Sequence, residues 1–220
     1  PAEDFFGNVL NVGTIFEFEI KVYEELKYST LSNITEYNKY NGKEVEPDDY
    51  LTVLRHIYNQ HNGLKFNKDL IEGDYTIKGL KEYYNSTKEE LSPQELKQLW
   101  DEVGYDIINR EGKWYIQVEF NEQCKTYNAM ETLLSNMYTP LPETFLLLIG
   151  GIQNYGKPIT DLNLTPIDTS LSTGYYVLKE MTEDYKIIYV KNQFIDTGER
   201  YKFPGVVINM FEYHIGTAYD

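Results

Sequence analysis

The chain contains a single cysteine, Cys124, so no disulfide can form within it. Small secreted domains without a large core depend on several disulfides, and we therefore do not expect a disulfide-stabilised secreted protein. Cys124 shares a helical spacing with Tyr127, Met130 and Leu134, which predicts a helix over Asn121–Tyr138. On that helix we interpret the thiol as part of the core and not as a nucleophile.

The sequence also lacks a long apolar run. Its longest, Phe145–Ile152, has eight residues and includes two glycines, whereas a helix that crosses a bilayer needs about 20 apolar residues. The first residues show neither the basic start nor the apolar centre of a signal peptide. From these features we expect no membrane span, and a location in the cytoplasm of a host cell or in a virion.

Basic side chains are scarce, since 20 Lys and Arg stand against 35 Asp and Glu, which gives a net charge of −15. The excess is spread along the chain, with 21 acidic and 12 basic side chains in residues 1–110 and 14 and eight in residues 111–220. A surface of this sign repels the phosphates of nucleic acids and of anionic lipids. We therefore expect no direct nucleic-acid binding, and a protein partner instead.

No recognised catalytic motif is present. The sequence has no Gly-x-Ser-x-Gly nucleophile turn and no glycine-rich phosphate loop. The three histidines, His56, His61 and His214, fit no metal-ligand spacing. The sequence therefore predicts no catalytic residue, no cofactor and no metal site, and it indicates no binding residue.

Acidic side chains nevertheless form clusters along the chain. Pairs such as Asp48-Asp49 and Asp101-Glu102 could hold Mg²⁺ or share a proton if they were buried. Asp48-Asp49 opens a predicted helix, where the helix dipole alone accounts for the two charges. The clusters are Glu44, Glu46, Asp48 and Asp49; Asp69, Glu72 and Asp74; and Asp101, Glu102 and Asp106.

The best-defined local structure is a capped helix followed by a hairpin. Ser92-Pro93-Gln94-Glu95 has the residues of a capping box with proline in the first turn, and Gly104 supplies a left-handed stop. Beyond it, apolar and polar residues alternate over Trp114–Phe120, which indicates a half-buried strand. The predicted partner strand is Tyr105–Asn109, joined through the turn Arg110-Glu111-Gly112.

Two further helices are predicted before this unit, over Pro47–His61 and Thr76–Ser86. Three helices followed by a two-stranded hairpin form the element order of a winged helix. The charges oppose DNA binding by such an element, because residues 44–106 carry 14 acidic and seven basic side chains. If the winged-helix arrangement forms, we expect it to bind protein.

The remaining patterns predict an α+β protein: a helical N-terminal section with a β-hairpin, then a β-rich antiparallel C-terminal section. Residues 1–156 form a mixed section with three to five helices and a hairpin at 105–120, and residues 157–174 form a polar connecting loop. Residues 175–220 form an antiparallel β section that could share a sheet with strand 15–23.

The individual elements outside the hairpin unit follow from the same patterns. A short apolar helix is expected over Glu143–Gln153. The C-terminal strand candidates are Tyr175–Lys179, Tyr185–Val190 and Val206–Tyr213. The last two are apolar on both faces, so we expect them to be covered on both sides, by the helical part or by another subunit.

The function that the sequence favours is a non-catalytic protein-interaction or assembly component. The two-sided apolar strands, the polar segment 157–174, the lack of a catalytic motif and 21 tyrosines support it. We predict a structural protein of a virus particle or mobile element that forms a homo-oligomer or part of a larger complex. A general drift of composition toward Tyr, Asn, Ile and Lys explains the tyrosines equally well.

Two alternatives stay open. One is an acidic inhibitor that imitates DNA and occupies a nucleic-acid-binding enzyme, because carboxylates spaced along one face can replace phosphates. The other is an enzyme whose site is assembled from scattered carboxylates, tyrosines and a histidine, which local sequence patterns do not reveal. Lysines interleaved with the acidic clusters weaken the first alternative: Lys65, Lys68, Lys78, Lys81, Lys88 and Lys97.

Overall fold

The structure is a computed structural model that describes residues 2–3, 9–10, 12–64, 68–125, 139–182, 186–195 and 203–209. It contains both helices and antiparallel strands, so the predicted α+β class is confirmed. The chain divides into two compact units, Pro1–Leu26 with Glu44–Gln153 and Lys27–Lys43 with Asn154–Asp220. These units differ from the three predicted segments, because residues 27–43 group with the C-terminal part of the chain.

The helices of the described residues are short, and three single turns of 3₁₀ helix accompany them there. In chain order the strands are β1 (Ala2–Glu3), β2 (Val9–Leu10), β3 (Val12–Ile20), β4 (Tyr23–Lys27), β5 (Glu44–Val45), β6 (Tyr105–Arg110), β7 (Lys113–Lys125), β8 (Tyr176–Met181), β9 (Lys186–Lys191) and β10 (Gly205–Asn209). The α-helices are α1 (Thr35–Asn38), α2 (Asp48–Ile57), α3 (Asp69–Glu72), α4 (Leu80–Ser86), α5 (Pro93–Trp100) and α6 (Glu143–Leu148). The 3₁₀ turns are Gln60–Asn62, Ile152–Asn154 and Thr160–Leu162.

The central strand of the first unit is β7, which pairs antiparallel with β3 on one side and with β6 on the other. Side chains alternate between the two faces of a strand. Ile116, Val118 and Phe120 share one face and are at most 2% exposed. The alternation over Trp114–Phe120 therefore predicted the buried face of this strand correctly.

The predicted capping box and hairpin turn are also confirmed, whereas Gly104 is not in the left-handed conformation predicted for it. Ser92 accepts a hydrogen bond from the amide of Glu95 at 3.3 Å, and the Glu95 carboxylate accepts from the Ser92 amide at 2.8 Å, which forms the capping box of α5. The β6–β7 hairpin turns at Glu111 and Gly112, whose φ angles are 52° and 83°. Positive φ at both central residues is the geometry of a type I′ turn, which matches the twist of the strands.

A chain of aromatic rings joins the helices of the first unit to its sheet. The Trp100 ring contacts the Tyr83 ring edge-on, with 4.8 Å between the ring centroids. It stacks on the Tyr105 ring with 5.7 Å between the centroids. The Tyr83 hydroxyl donates a hydrogen bond to the backbone carbonyl of Arg55 at 2.7 Å. These contacts link α2, α4, α5 and β6, and such aromatic pairs each add about 0.5–1.5 kcal/mol beyond burial of area.

The structure corrects one prediction about strand pairing. Within the residues that the structure describes, strand 15–23 does not share a sheet with the C-terminal strands, because β3 pairs with β7 while β8, β9 and β10 form a sheet of their own. The hairpin at 105–120 therefore belongs to a three-stranded sheet, and the winged-helix arrangement is not confirmed.

The predicted helix over Asn121–Tyr138 is wrong for its first five residues, which end strand β7. Gly13 of β3 lies opposite Cys124, so pairing between distant strands outweighs the local helical spacing. Cys124 is 2% exposed, as expected of a core thiol, and burial raises its pKa. The remainder of that helix lies outside the described residues.

The second unit contains the antiparallel sheet β8–β9–β10. Segment 157–174, which the sequence predicted as a polar connection, takes part in hydrogen bonds within this unit. The Asp168 carboxylate accepts from the Ser32 hydroxyl at 2.5 Å and from the Thr165 amide at 2.8 Å. Ser29 and Ser172 pair as an antiparallel bridge. These bonds explain why residues 27–43 group with the C-terminal part of the chain.

Many of the tyrosines belong to the cores of the two units. The buried ones are at most 7% exposed, and they are Tyr28, Tyr37, Tyr40, Tyr50, Tyr58, Tyr83 and Tyr105. Burial raises the pKa of Tyr50 to about 12. This part of the tyrosine content fills the interior and does not form an interaction surface.

Gly79, the residue before α4, lies close against the backbone of Glu102. Its φ is +67°, and a Cβ there would lie 2.2 Å from the carbonyl oxygen of Glu102. Gly63 has nearly the same φ, +66°, with no atom within 4 Å of its Cβ position. We expect Gly63→Ala to lower the free energy of unfolding by about 1 kcal/mol through backbone strain and Gly79→Ala by about 3 kcal/mol through strain and overlap. Urea denaturation followed by tryptophan fluorescence measures both, and equal losses would contradict the close packing at Gly79.

Candidate ligand-binding cleft

An open cleft of about 600 Å³ lies in the first unit, between the start of α2, the end of α5 and the strands β6 and β7. Binding pockets for small ligands usually enclose about 300–1,000 Å³. Three cationic side chains line the cleft, Arg55, Lys78 and Lys97. The six carboxylates in the lining are Glu46, Asp48, Asp101, Glu102, Asp106 and Glu119. The charged lining is therefore net negative.

A buried arginine lies at the base of the cleft. Arg55 is 1% exposed and makes a bidentate ion pair with Asp48. The distances are 3.1 Å from Nη1 to Oδ1 and 2.9 Å from Nη2 to Oδ2. The two residues are seven apart on α2, which places them two turns apart on the same face. Arg55 also donates to the Thr52 hydroxyl at 2.8 Å, and the Lys97 ammonium donates to Asp48 Oδ2 at 3.1 Å.

Asp48 stays charged to lower pH than an ordinary aspartate. Burial alone would raise its pKa, but the hydrogen bonds and positive charges of Arg55 and Lys97 together outweigh burial and hold the pKa below its usual value. A depressed pKa in the folded state stabilises the fold above the unfolded-state pKa of about 3.9. That stabilisation is lost as the pH falls through the pKa of the folded state.

Two buried N–H donors at the cleft have no acceptor. Trp100 is 3% exposed, and its indole N–H has no hydrogen-bond partner among the described residues. The Nε–H of Arg55 also has none. Buried polar groups are nearly always paired, and a donor left unpaired costs about 1–3 kcal/mol. The cleft therefore combines unused donors at its base with an acidic lining.

The far wall of the cleft depends on a close backbone approach at Gly104. The Gly104 amide donates to the carbonyl of Lys78 at 2.8 Å, and its carbonyl accepts from the Glu119 amide at 2.7 Å. A Cβ at this position would lie 2.5 Å from the carbonyl oxygen of Glu119, so only glycine fits. The Lys78 ammonium lies 2.8 Å from the Glu119 carboxylate, so each of these two charges has a partner of opposite sign.

The cleft brings together parts of two acidic clusters that the sequence indicated. Glu46 and Asp48 come from the first cluster, and Asp101, Glu102 and Asp106 form the third. The cluster at 69–74 contributes nothing to the lining. Asp49, also from the first cluster, instead accepts from the Glu46 amide at 2.9 Å and so closes the turn before α2.

The histidines have separate surroundings. His56 Nε2 lies 3.2 Å from Glu143 Oε1, and this hydrogen bond, which outweighs the opposing effect of burial, holds the pKa of Glu143 below its usual value. His61 is exposed, and His214 lies outside the described residues. Within the described ranges, no group of three or more His, Cys, Asp or Glu side chains is placed to hold a metal ion. No helix in the same ranges has both the length and the apolarity to cross a membrane.

The sequence did not single out two buried residues of the cleft lining, Arg55 and Trp100. One signal was present, because Arg55 follows the apolar residues Val53 and Leu54 and lies two helical turns after Asp48. The unpartnered indole N–H gave no such signal, since it depends on how α5 packs against its neighbours.

Neither a protein-family profile nor a curated protein sequence matches the chain. Among solved structures, Listeria monocytogenes OppA bound to peptide has a TM-score of 0.56 and 18% identity, over 93% of this chain and 33% of that one. A periplasmic oligopeptide-binding protein/oligopeptide ABC transporter (OppAIV) from Borrelia burgdorferi has a TM-score of 0.56 and 13% identity, with the same coverage. OppA from Burkholderia pseudomallei has a TM-score of 0.51 and 17% identity, over 83% of this chain and 28% of that one.

At these identities the likeness concerns the fold alone. The chain spans about a third of the length of the structures that it matches. It thus has a fold similar to one part of these larger proteins.

We expect Asp48→Asn to lower the free energy of unfolding at pH 7 by about 1–3 kcal/mol, because Arg55 stays buried without a carboxylate. Urea denaturation as a function of pH measures this effect. The difference from the unchanged protein should begin to shrink as the pH falls below about 4, where Asp48 becomes protonated in the unfolded state, and should vanish as the pH falls through the lower pKa of Asp48 in the folded state.

Glu19→Gln is the matched control, because Glu19 pairs with Lys113 at 3.0 Å with both side chains more than half exposed. Exposed ion pairs contribute little, so this variant should leave stability nearly unchanged. Equal losses for the two variants, or a difference that does not vary with pH, would contradict a structural role for the Asp48–Arg55 pair.

Proposed function

We propose that this chain is a non-catalytic binding protein for short peptides, built on part of the fold found in oligopeptide-binding proteins. The observation that carries the proposal is the likeness of fold, which extends over 93% of the chain to OppA bound to peptide. The proposal keeps the predicted class of a non-catalytic interaction component and replaces the predicted protein partner with a peptide.

The matched structures are about three times as long as the part that this chain covers, which limits what the proposal can take from them. The chain spans about a third of OppA, so the activity of the whole neighbouring protein comes to this chain only as part of the proposal. The Borrelia burgdorferi neighbour is described as periplasmic. A location outside the cytoplasm therefore belongs to the proposal, whereas the sequence alone favoured the cytoplasm or a virion.

The other hypotheses drawn from the sequence stay predictions. They are a structural role in a virus particle, DNA mimicry and catalysis by scattered residues. The cleft bears on mimicry in one respect, because Lys78 and Lys97 lie among its carboxylates. A surface that replaces DNA phosphates should carry few cations on its working face.

A second observation favours association with another polypeptide. The sequence predicted that the last strands are covered on both sides, yet β10 presents exposed apolar side chains: Val206 is 38% exposed, Val207 56% and Ile208 46%. Among the described residues, β10 is the edge strand of its sheet and pairs only with β9. An exposed apolar edge strand pairs readily with another strand. We propose that β10 pairs with β10 of a second copy.

Peptide binding is tested by native mass spectrometry of the purified chain with a mixture of synthetic peptides of three to eight residues. We expect complexes with one peptide per protein chain, formed from peptides and not from a matched mixture of free amino acids. The amino acids are the control because they lack the peptide backbone. If no peptide forms a complex at concentrations up to about 1 mM, which corresponds to a binding free energy near −4 kcal/mol, the proposed function is wrong.

Self-association is tested by light scattering over a concentration series. We expect the mass of the unchanged protein to rise with concentration and that of Val207→Lys to stay monomeric, because a buried lysine would oppose strand pairing. Leu162→Lys is the control, since Leu162 is 58% exposed in the same unit but lies outside the sheet. A monomer at every concentration would rule out self-association through β10.

A further inference from the structure

The charges in the cleft determine which ligand it can accept. Lys78 neutralises Glu119, and Arg55 and Lys97 share Asp48. Among the described residues, no ion pair involves the four other carboxylates in the lining, Glu46, Asp101, Glu102 and Asp106. Their combined field attracts a cation and repels an anion.

The chain itself shows that an ammonium group fits in this cleft. The Lys97 ammonium, on a side chain that is 58% exposed, lies 3.1 Å from Asp48 Oδ2. This contact is weakly held, because an exposed ion pair gains little free energy. A ligand ammonium or guanidinium could replace it without breaking the ion pair between Arg55 and Asp48.

The unpartnered donors add a second requirement. The indole N–H of Trp100 and the Nε–H of Arg55 need acceptors, and both residues line the cleft at 3% and 1% exposure. A carboxylate would satisfy them but is repelled by the acidic lining. A neutral carbonyl oxygen satisfies them without that repulsion.

We propose that the cleft binds a lysine- or arginine-containing peptide, whose cationic side chain replaces Lys97 among the carboxylates while a backbone carbonyl accepts from Trp100. This inference rests on the proposed function and adds the class of peptide and the site. The volume of the cleft, about 600 Å³, suits a segment of a few residues and not a whole protein.

The experiment is isothermal titration calorimetry with two probes, the tripeptide Ala-Lys-Ala and the same peptide with uncharged norleucine in place of lysine. We expect the lysine peptide to bind at least about tenfold more tightly, with the advantage falling as salt rises from about 0.02 to 0.3 M. The combined variant Asp101→Asn with Glu102→Gln should remove most of the advantage.

Two variants of the cleft change binding in opposite directions. Lys97→Met removes the competing ammonium, so we expect about threefold tighter binding of Ala-Lys-Ala. Trp100→Phe removes one donor and should weaken binding about fivefold. The matched controls are Lys113→Met and Trp114→Phe, because Lys113 and Trp114 do not line the cleft. These controls should bind the peptide like the unchanged protein.

The outcomes separate this inference from the proposed function. If both tripeptides bind equally, or if each cleft variant behaves like its control, the peptide site lies elsewhere and buried water satisfies the two donors. In that case peptide binding stands and the inference is wrong. If no peptide binds at all, both are wrong. Should Trp100→Phe fail to fold, Lys97→Met decides, since an exposed lysine can be replaced without loss of the core.

Discussion

The first unit depends on strand β7, which pairs with a strand along each edge. One face of β7 packs in the core, and the other lines the cleft. The face with Ile116 and Val118 is buried in the core, and the opposite face presents Gln117 and Glu119 to the cleft. The alternation of side chains along a strand thus fixes the core and one wall of the cleft at the same time. A shift of register by one residue would place polar groups in the core and apolar ones in the cleft.

Two buried residues of the cleft, Arg55 and Trp100, lower the stability of the fold. Removing a charged group from water can cost more free energy than its ion pair returns, so the buried Arg55, paired with the half-exposed Asp48, is not explained by stability alone. The unpartnered N–H of Trp100 adds a further cost. Departures from complete hydrogen bonding are expected where a ligand supplies the missing partner. The two costs occur side by side in the one cleft, and a backbone carbonyl of a bound peptide would supply the acceptor that Trp100 lacks.

The sequence predicted what depends on neighbouring residues and missed what depends on distant ones. The capping box at Ser92 and the β6–β7 hairpin were predicted because their hydrogen bonds join residues close in the chain. The end of β7 was predicted as a helix because Cys124 shows a helical spacing, whereas its pairing with Gly13 bridges more than 100 residues. For the same reason the acidic clusters could be seen in the sequence, but their meeting with the buried donor of Trp100 could not.

The most direct test of a peptide site in the cleft is a titration of the ¹⁵N-labelled chain with Ala-Lys-Ala, followed through its indole N–H signals. The chain has two tryptophans. Trp100 lines the cleft, while Trp114 packs edge-on against Tyr23 at 5.9 Å outside it and serves as an internal reference. We predict that the Trp100 signal shifts downfield to saturation, as an N–H does when it gains an acceptor, and that the Trp114 signal stays in place. A Trp100 signal that does not move while the peptide binds would contradict the account.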